Sequence, residues 1–136
     1  MDNCIFCKIV KGEIPSNKIY EDESVLAFLD IAPINRGHAL VIPKKHFENI
    51  YDVPDEVLTD VIKVSKKIAK AVKKAVGADG VNVSMNNEPA AGQVVFHLHI
   101  HIIPRLITDG LKSWKSRGDY KQGEPEQVAE KIIRAL

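Results

Sequence analysis

Cysteine and aromatic residues are scarce in this sequence. Its 136 residues include two cysteines, one tryptophan and 6% aromatic residues in all. Two thiols can close only one bridge, so a disulfide-stapled scaffold is excluded, and in a reducing cytoplasm a close pair is more often metal-binding or redox-active. Long apolar runs are absent: stretches such as Ala39–Ile42 fall far short of the ~18 residues a spanning helix needs, so no membrane partner is expected. Charge of one sign is missing too. Lys plus Arg is 19 against 18 for Asp plus Glu, a net charge of +1. That argues against binding nucleic acid by bulk electrostatics but leaves room for a nucleotide in one local site. Asp2 and Asn3 stand where a secretory signal is basic, and Lys8 and Lys11 interrupt its apolar stretch, so a cytoplasmic protein is expected. What is present, 45% apolar and 27% charged residues, is the balance of one globular domain over residues 1–136, long enough to bury a core unaided.

The chain reads as α+β. Lys18–Glu21 and Ser24–Asp30 form two strands around an Asp22-Glu23 turn, and His38–Ile42 a third, ended by Pro43. Asp52 can cap a helix whose apolar positions run Val57, Leu58, Val61, Ile62, Val64, Ile68, Val72 and Val76, with Gly77 as its stop. Its six lysines, at 63, 66, 67, 70, 73 and 74, read as a solvated face near the negative end of the helix dipole. Residues 80–87 and 93–103 form a hairpin across the short Glu88–Gly92 connection. Residues 105–123 are irregular, with Trp114 a packing residue, and Pro125–Leu136 is a short closing helix. The sum is a mainly antiparallel five-stranded sheet with one long helix on its face.

Three of the five histidines crowd into His97, His99 and His101. Alternate residues of a strand share a face, so the three imidazoles project together, about 6.7 Å apart along the chain, while Leu98, Ile100 and Ile102 face the other way. A solvent-facing strand that merely happens to be histidine-rich is one reading. A catalytic metal held by the three rings is a second. A neutral imidazole acting as nucleophile, oriented by its neighbours, is a third. Asn86 and Asn87, with the Gly92-Gln93 approach, place amide donors beside the row, which suits an anionic phosphoryl group; a metal alone would not need them.

His97-Leu98-His99-Ile100-His101-Ile102-Ile103 resembles the signature of the histidine-triad (HIT) superfamily. Asn86–Gln93, the Gly37–His46 segment, and Ile5–Ile9 with Gly12–Pro15 are similar to its Hint-type branch. The resemblance covers residues 4 to about 105 and leaves 106–136 as a variable C-terminal region. It implies a HIT-like fold, a homodimer, and a nucleotide hydrolase or transferase acting at the α-phosphate of purine nucleoside phosphoramidates or related nucleotides. It implies that His99 attacks phosphorus, His101 contacts the phosphate and assists the leaving group, His97 positions His99, and His38 supports them. Asp30 would hold the ribose hydroxyls. Asn86, Gly92, Gln93 and Val94 would border the phosphate and leaving group, and Ile5, Phe6, Phe28 and Ile31 would form a slot for the base. The chain departs from the pattern at Val94, where Hint-type proteins often carry Ser. A dinucleoside polyphosphate hydrolase and a nucleotide-binding scaffold remain as alternatives. Taken singly, Asp30, Asn86, His38 and Gly92 could equally be turn or packing residues.

Cys4-Ile5-Phe6-Cys7 lacks the preceding strand a redox C-x-x-C motif needs. Two thiols are half a structural zinc site. The resemblance supplies His46 and His97 as the other two ligands, which would make the zinc structural, with no open position for a water nucleophile.

Overall fold

A computed structural model describes residues 3–112 and 116–136; Trp114 lies outside the described residues. The elements run α1 (Ile5–Val10), β1 (Lys18–Glu21), β2 (Val25–Leu29), β3 (Ala39–Pro43), α2 (Asp55–Val76), β4 (Gly80–Ser84), a 3-10 turn at Pro89–Ala91, β5 (Ile100–Arg105) and α3 (Glu124–Ala135). They form a five-stranded antiparallel sheet in the order β1-β2-β3-β5-β4. Among the described residues no helix is long and apolar enough to cross a membrane.

β2 and β3 read VLAFL and ALVIP, and eight of their first nine positions are the alternating inner residues of two apolar layers. Val25, Ala27, Ala39 and Val41 pack with Leu98, Ile100 and Ile102 against Val61, Val64, Ile68 and Val72 of α2. Leu26, Phe28, Leu40 and Ile42 face the opposite way and meet Phe6 and Ile9 of α1. Covering both faces explains why these strands are apolar at every position rather than at alternate ones. The six lysines of α2 are all exposed, as a helix with one buried stripe requires.

Three expectations need correction. The segment 93–103 is strand only from Ile100, so His97 and His99 lie in an extended stretch before β5. β3 stays paired with β2 to Pro43, and Lys44 still donates its N–H to the Ser24 carbonyl. The β3–β5 ladder stops at the Val41–Ile100 pair, and the Leu98 N–H bonds the Phe47 carbonyl instead. The hairpin therefore pairs only Gly80–Ser84 with His101–Arg105, leaving a long connection in place of the short Glu88–Gly92 link. Asp52 does not cap α2: the N-cap is Pro54, without a side-chain bond, while the Asp52 carboxylate accepts from the N–H groups of Glu48 and Asn49. Asp55 and Glu56 in the first turn complement the helix dipole in its stead.

Gly37 closes the turn before β3 at φ +94, where an L side chain is strained, and an added Cβ would lie 3.0 Å from a Val76 methyl carbon. The Gly37→Ala substitution should cost about 1–3 kcal/mol, read as a lowered urea midpoint with an unchanged slope.

Candidate active site

The hydrogen bonds of each imidazole assign its protons. His97 is fully buried, and its Nε2 lies 2.8 Å from the Pro43 carbonyl, to which it must donate. Its Nδ1 then carries a lone pair, and it faces Cys4 Sγ at 3.4 Å and Cys7 Sγ at 3.6 Å. His99 Nδ1 donates to the His97 carbonyl at 2.7 Å, which leaves the lone pair on Nε2. His38 Nδ1 accepts the Ile34 N–H at 3.0 Å, so its Nε2 carries a proton and donates to His101 Nδ1 at 2.9 Å. The proton of His101 is thereby placed on Nε2. Side by side stand a ring with an available lone pair, His99, and a ring with an available N–H, His101, their centroids 5.0 Å apart.

All four rings are neutral near pH 7. Burial lowers the pKa of His38 and His99, and burial reinforced by neighbouring rings lowers His97 and His101 to about 4. Phe6 closes the apolar side, its ring edge-on to His99 at 5.1 Å and to Phe28 at 5.5 Å.

His99 and His101 line a cavity of about 530 Å³. Ile5, Phe6, Phe28, Asp30, Ile31, Asn86, Gly92 and Val94 line it with them, so ten of the residues singled out in the sequence meet at one site. Asp30 also stabilises its own turn: Oδ1 accepts the Ala32 N–H at 2.9 Å, while Oδ2 lies 3.6 Å from His38 Nε2. Gly92, at φ +91, could not carry a side chain without strain beside the Asn86 amide. Ile31 and Val94 stand 89% and 83% exposed at the rim. His38 and His97 stand behind the lining, and the Gln93 side chain does not enter it. Sequence reasoning missed Ile9, Ile14 and Leu40, whose apolar character marks only core, and Ser16, whose buried Oγ lines the cavity with no hydrogen-bond partner among the described residues.

Among the described residues two side-chain clusters have the donors for a metal, and proton placement separates them. At Asp30, His38 and His101 the nitrogen offered by His38 is Nε2, which carries a proton because Nδ1 accepts from the backbone. Ligation there would require breaking that bond. At Cys4, Cys7, His46 and His97 the donors lie within 4.8 Å of one another, and the His97 lone pair already points inward. Tetrahedral zinc with ordinary bond lengths separates a sulfur from a nitrogen ligand by about 3.5 Å. The contacts here are 3.4, 3.4 and 3.6 Å. The donor set fits zinc, and the three triad rings do not converge as ligands, since His97 belongs to this cluster while His99 and His101 line the cavity.

Residues 11–106 match the HIT domain family. The chain belongs to that family. A crystal structure of a HIT family member from Bacillus subtilis superposes on it with a TM-score of 0.91 at 47% identity, covering 98% of this chain and 97% of that one. The adenosine 5'-monophosphoramidase HNT1 of Saccharomyces cerevisiae is 51% identical over 102 residues, 75% of this chain and 62% of that protein. A zinc-bound histidine triad protein from Mycobacterium smegmatis is 38% identical, with a TM-score of 0.78 and 99% of each chain covered. The HIT fold, with its five antiparallel strands, long helix and short C-terminal helix, is therefore shared across chains of substantially different sequence.

The lowered histidine pKa values have a consequence for stability. His101 binds a proton at about 4 when folded and near its ordinary 6.5 when unfolded, so acid favours the unfolded chain. Stability present above about pH 6.5 should be lost as the pH falls toward 4. Thermal melts across that range should show a falling midpoint, and a His101→Gln protein should show a shallower fall.

Proposed function

We propose that this HIT protein is a nucleotide hydrolase or nucleotidyl transferase that cleaves at the α-phosphate of purine nucleoside phosphoramidates through a nucleotidyl-histidine intermediate. The observation that carries the reading is the His99 Nδ1–H bond to the His97 carbonyl, which leaves Nε2 unprotonated on a ring lining a nucleotide-sized cavity. Membership of the family and the likeness to a yeast phosphoramidase support the same class of reaction.

In this reading the base enters the slot between Ile5, Phe6, Phe28 and Ile31, and Asp30 accepts hydrogen bonds from the ribose hydroxyls. The α-phosphate lies against Asn86 and Gly92. His99 Nε2 attacks phosphorus as the bond to the amine breaks, and the positive charge arising on the ring is met by the His97 carbonyl at Nδ1–H. His101 offers its Nε2–H to the phosphoryl group and the departing atom. The amine leaves with the electron pair of its bond to phosphorus and takes up a proton from solvent. Water then attacks phosphorus from the side the amine left and gives a proton back to solvent, and the electron pair of the bond between phosphorus and Nε2 returns to His99. Val94 lends the leaving-group side no hydroxyl, so contact there is apolar.

Cys4, Cys7, His46 and His97 would hold zinc. With four protein ligands it would supply structure, fixing the His97 ring and with it the carbonyl that orients His99. We also take the chain to be one HIT domain in which 106–136 vary, working in the cytoplasm as a homodimer. The edge strand β4, with Val83 52% exposed, supports a second copy.

The test is hydrolysis of adenosine 5'-phosphoramidate with and without EDTA, by wild type and by His99→Ala. Turnover should survive chelation and fall by roughly 10⁴-fold or more in the variant, while AMP binding persists. Activity retained by His99→Ala would remove the nucleophile from the scheme. Activity lost on chelation and restored by metal would favour a metal-dependent hydrolase, and AMP binding without turnover a scaffold. Metal analysis should find one zinc per wild-type chain and none in a Cys4→Ala, Cys7→Ala protein.

A further inference from the structure

Gln93 is the residue whose position in the structure its sequence context does not explain. It is 4% exposed, yet its amide does not reach the cavity. Oε1 accepts the Glu88 N–H at 2.7 Å, and Nε2 donates to the Glu48 carbonyl at 2.6 Å and the Val95 carbonyl at 3.2 Å. Glu88 has φ 72 and ψ 157, a region almost reserved for glycine, and is the only non-glycine residue at positive φ among the described residues. Its carbonyl accepts two N–H groups, from Ala91 and Gln93, so both main-chain polar groups of this strained residue are tied to the turn that Gln93 closes. On either side of the strained residue stand Asn86 and Gly92, which border the cavity and bond one another through Asn86 Nδ2 and the Gly92 carbonyl at 3.4 Å. A second stitch, the Ile50 N–H to Asn87 Oδ1 at 2.9 Å, holds the same loop to the segment that follows His46.

We propose that Gln93 is a positioning residue, which acts through the Glu88 backbone to hold the Asn86–Gly92 loop in the shape that receives the phosphoryl group, and that it does not touch the leaving group. The proposal rests on the cavity being the phosphoryl site described above. With both amide hydrogens given to backbone carbonyls and its oxygen held by the Glu88 N–H, this buried glutamine has no donor free for a substrate and does not line the cavity. The conformation it fixes is one that glutamate would leave if released, and the loop would carry Asn86 and Gly92 with it. The amide also bonds Glu48, two residues from His46, so the loop that borders the phosphate and the loop that carries a zinc-ligand candidate share one clamp.

The experiment compares wild type, Gln93→Ala, Glu88→Gly and the double variant, each first checked for folding by its thermal melt. Glycine holds the conformation of residue 88 without strain, so it substitutes for the clamp. Gln93→Ala should lower kcat/KM for adenosine phosphoramidate by up to about 100-fold, to a similar degree whether the leaving group is ammonia or a bulky amine. The double variant should recover most of that loss. A loss that Glu88→Gly leaves in place, or that changes with the leaving group, would mean that Gln93 contacts the departing atom and would overturn the proposal, as would full activity of Gln93→Ala. Amide hydrogen exchange reads the clamp without substrate. The Glu88 amide should be protected in ligand-free wild type and unprotected in Gln93→Ala; equal exchange in both overturns the clamp. Loss of protection in a protein whose wild type turns over no phosphoramidate would instead support the clamp and count against the substrate assignment.

Discussion

The contact on which the site depends is the 2.7 Å bond from His99 Nδ1–H to the carbonyl of His97. A neutral imidazole has one lone pair, and this bond decides which nitrogen carries it. The carbonyl must therefore be held still, and the residue that owns it is held twice. Its Nε2–H is fixed by the Pro43 carbonyl at the end of β3, and its Nδ1 by the cysteine cluster at the start of the chain. One histidine thus joins the N-terminal helix, the central strand and the histidine row. Removing water from these rings lowers their basicity, which keeps them neutral so that the same proton arrangement persists across the physiological range.

The rest of the fold supplies walls for that arrangement. α2 covers one face of the sheet and leaves the other to α1, whose Phe6 stacks edge-on against both His97 and His99. Because α1 also carries Cys7 and is capped by the Cys4 sulfur, the helix that walls the cavity is tied to the residue whose carbonyl orients His99. The polar wall is a loop stitched by side-chain hydrogen bonds to backbone. The cavity therefore combines a rigid apolar side, suited to a planar base, with a hydrogen-bonded side suited to an anion.

Much of this was legible in the sequence because the information is local. The alternation at His97, His99 and His101 does put those rings on the α1 side and Leu98, Ile100 and Ile102 in the layer under α2, even though only the last part of the row is paired strand. The 3.6-residue spacing of α2 and its closing Gly77 hold as read. What escaped was set by distant partners. Residues 93–99 have strand composition, but the β3–β5 ladder ends at Val41–Ile100, and the Leu98 N–H goes to the Phe47 carbonyl. Asp52 has the chemistry of a cap, and it caps a turn whose N–H groups are nearer. Ile5–Val10 is a six-residue helix with too few positions to show a period. Gln93 looks like a substrate contact from its place beside the triad, and only the carbonyl of Glu48 and the amide of Glu88 reveal where its hydrogen bonds are spent.

The acceptor that orients His99 belongs to the main chain, and this sets how such a site can change over generations. In a serine–histidine–aspartate arrangement the orienting oxygen is a side chain, and a single codon can delete it. Here any replacement at position 97 keeps the oxygen, and what varies is only how firmly it is held. Sequence drift can therefore loosen or tighten the hold on His99 by degrees, through the residues that fix His97, without passing through a form that has lost its orienting partner altogether. A histidine row built this way tolerates gradual divergence in its surroundings while its central proton stays where the backbone put it.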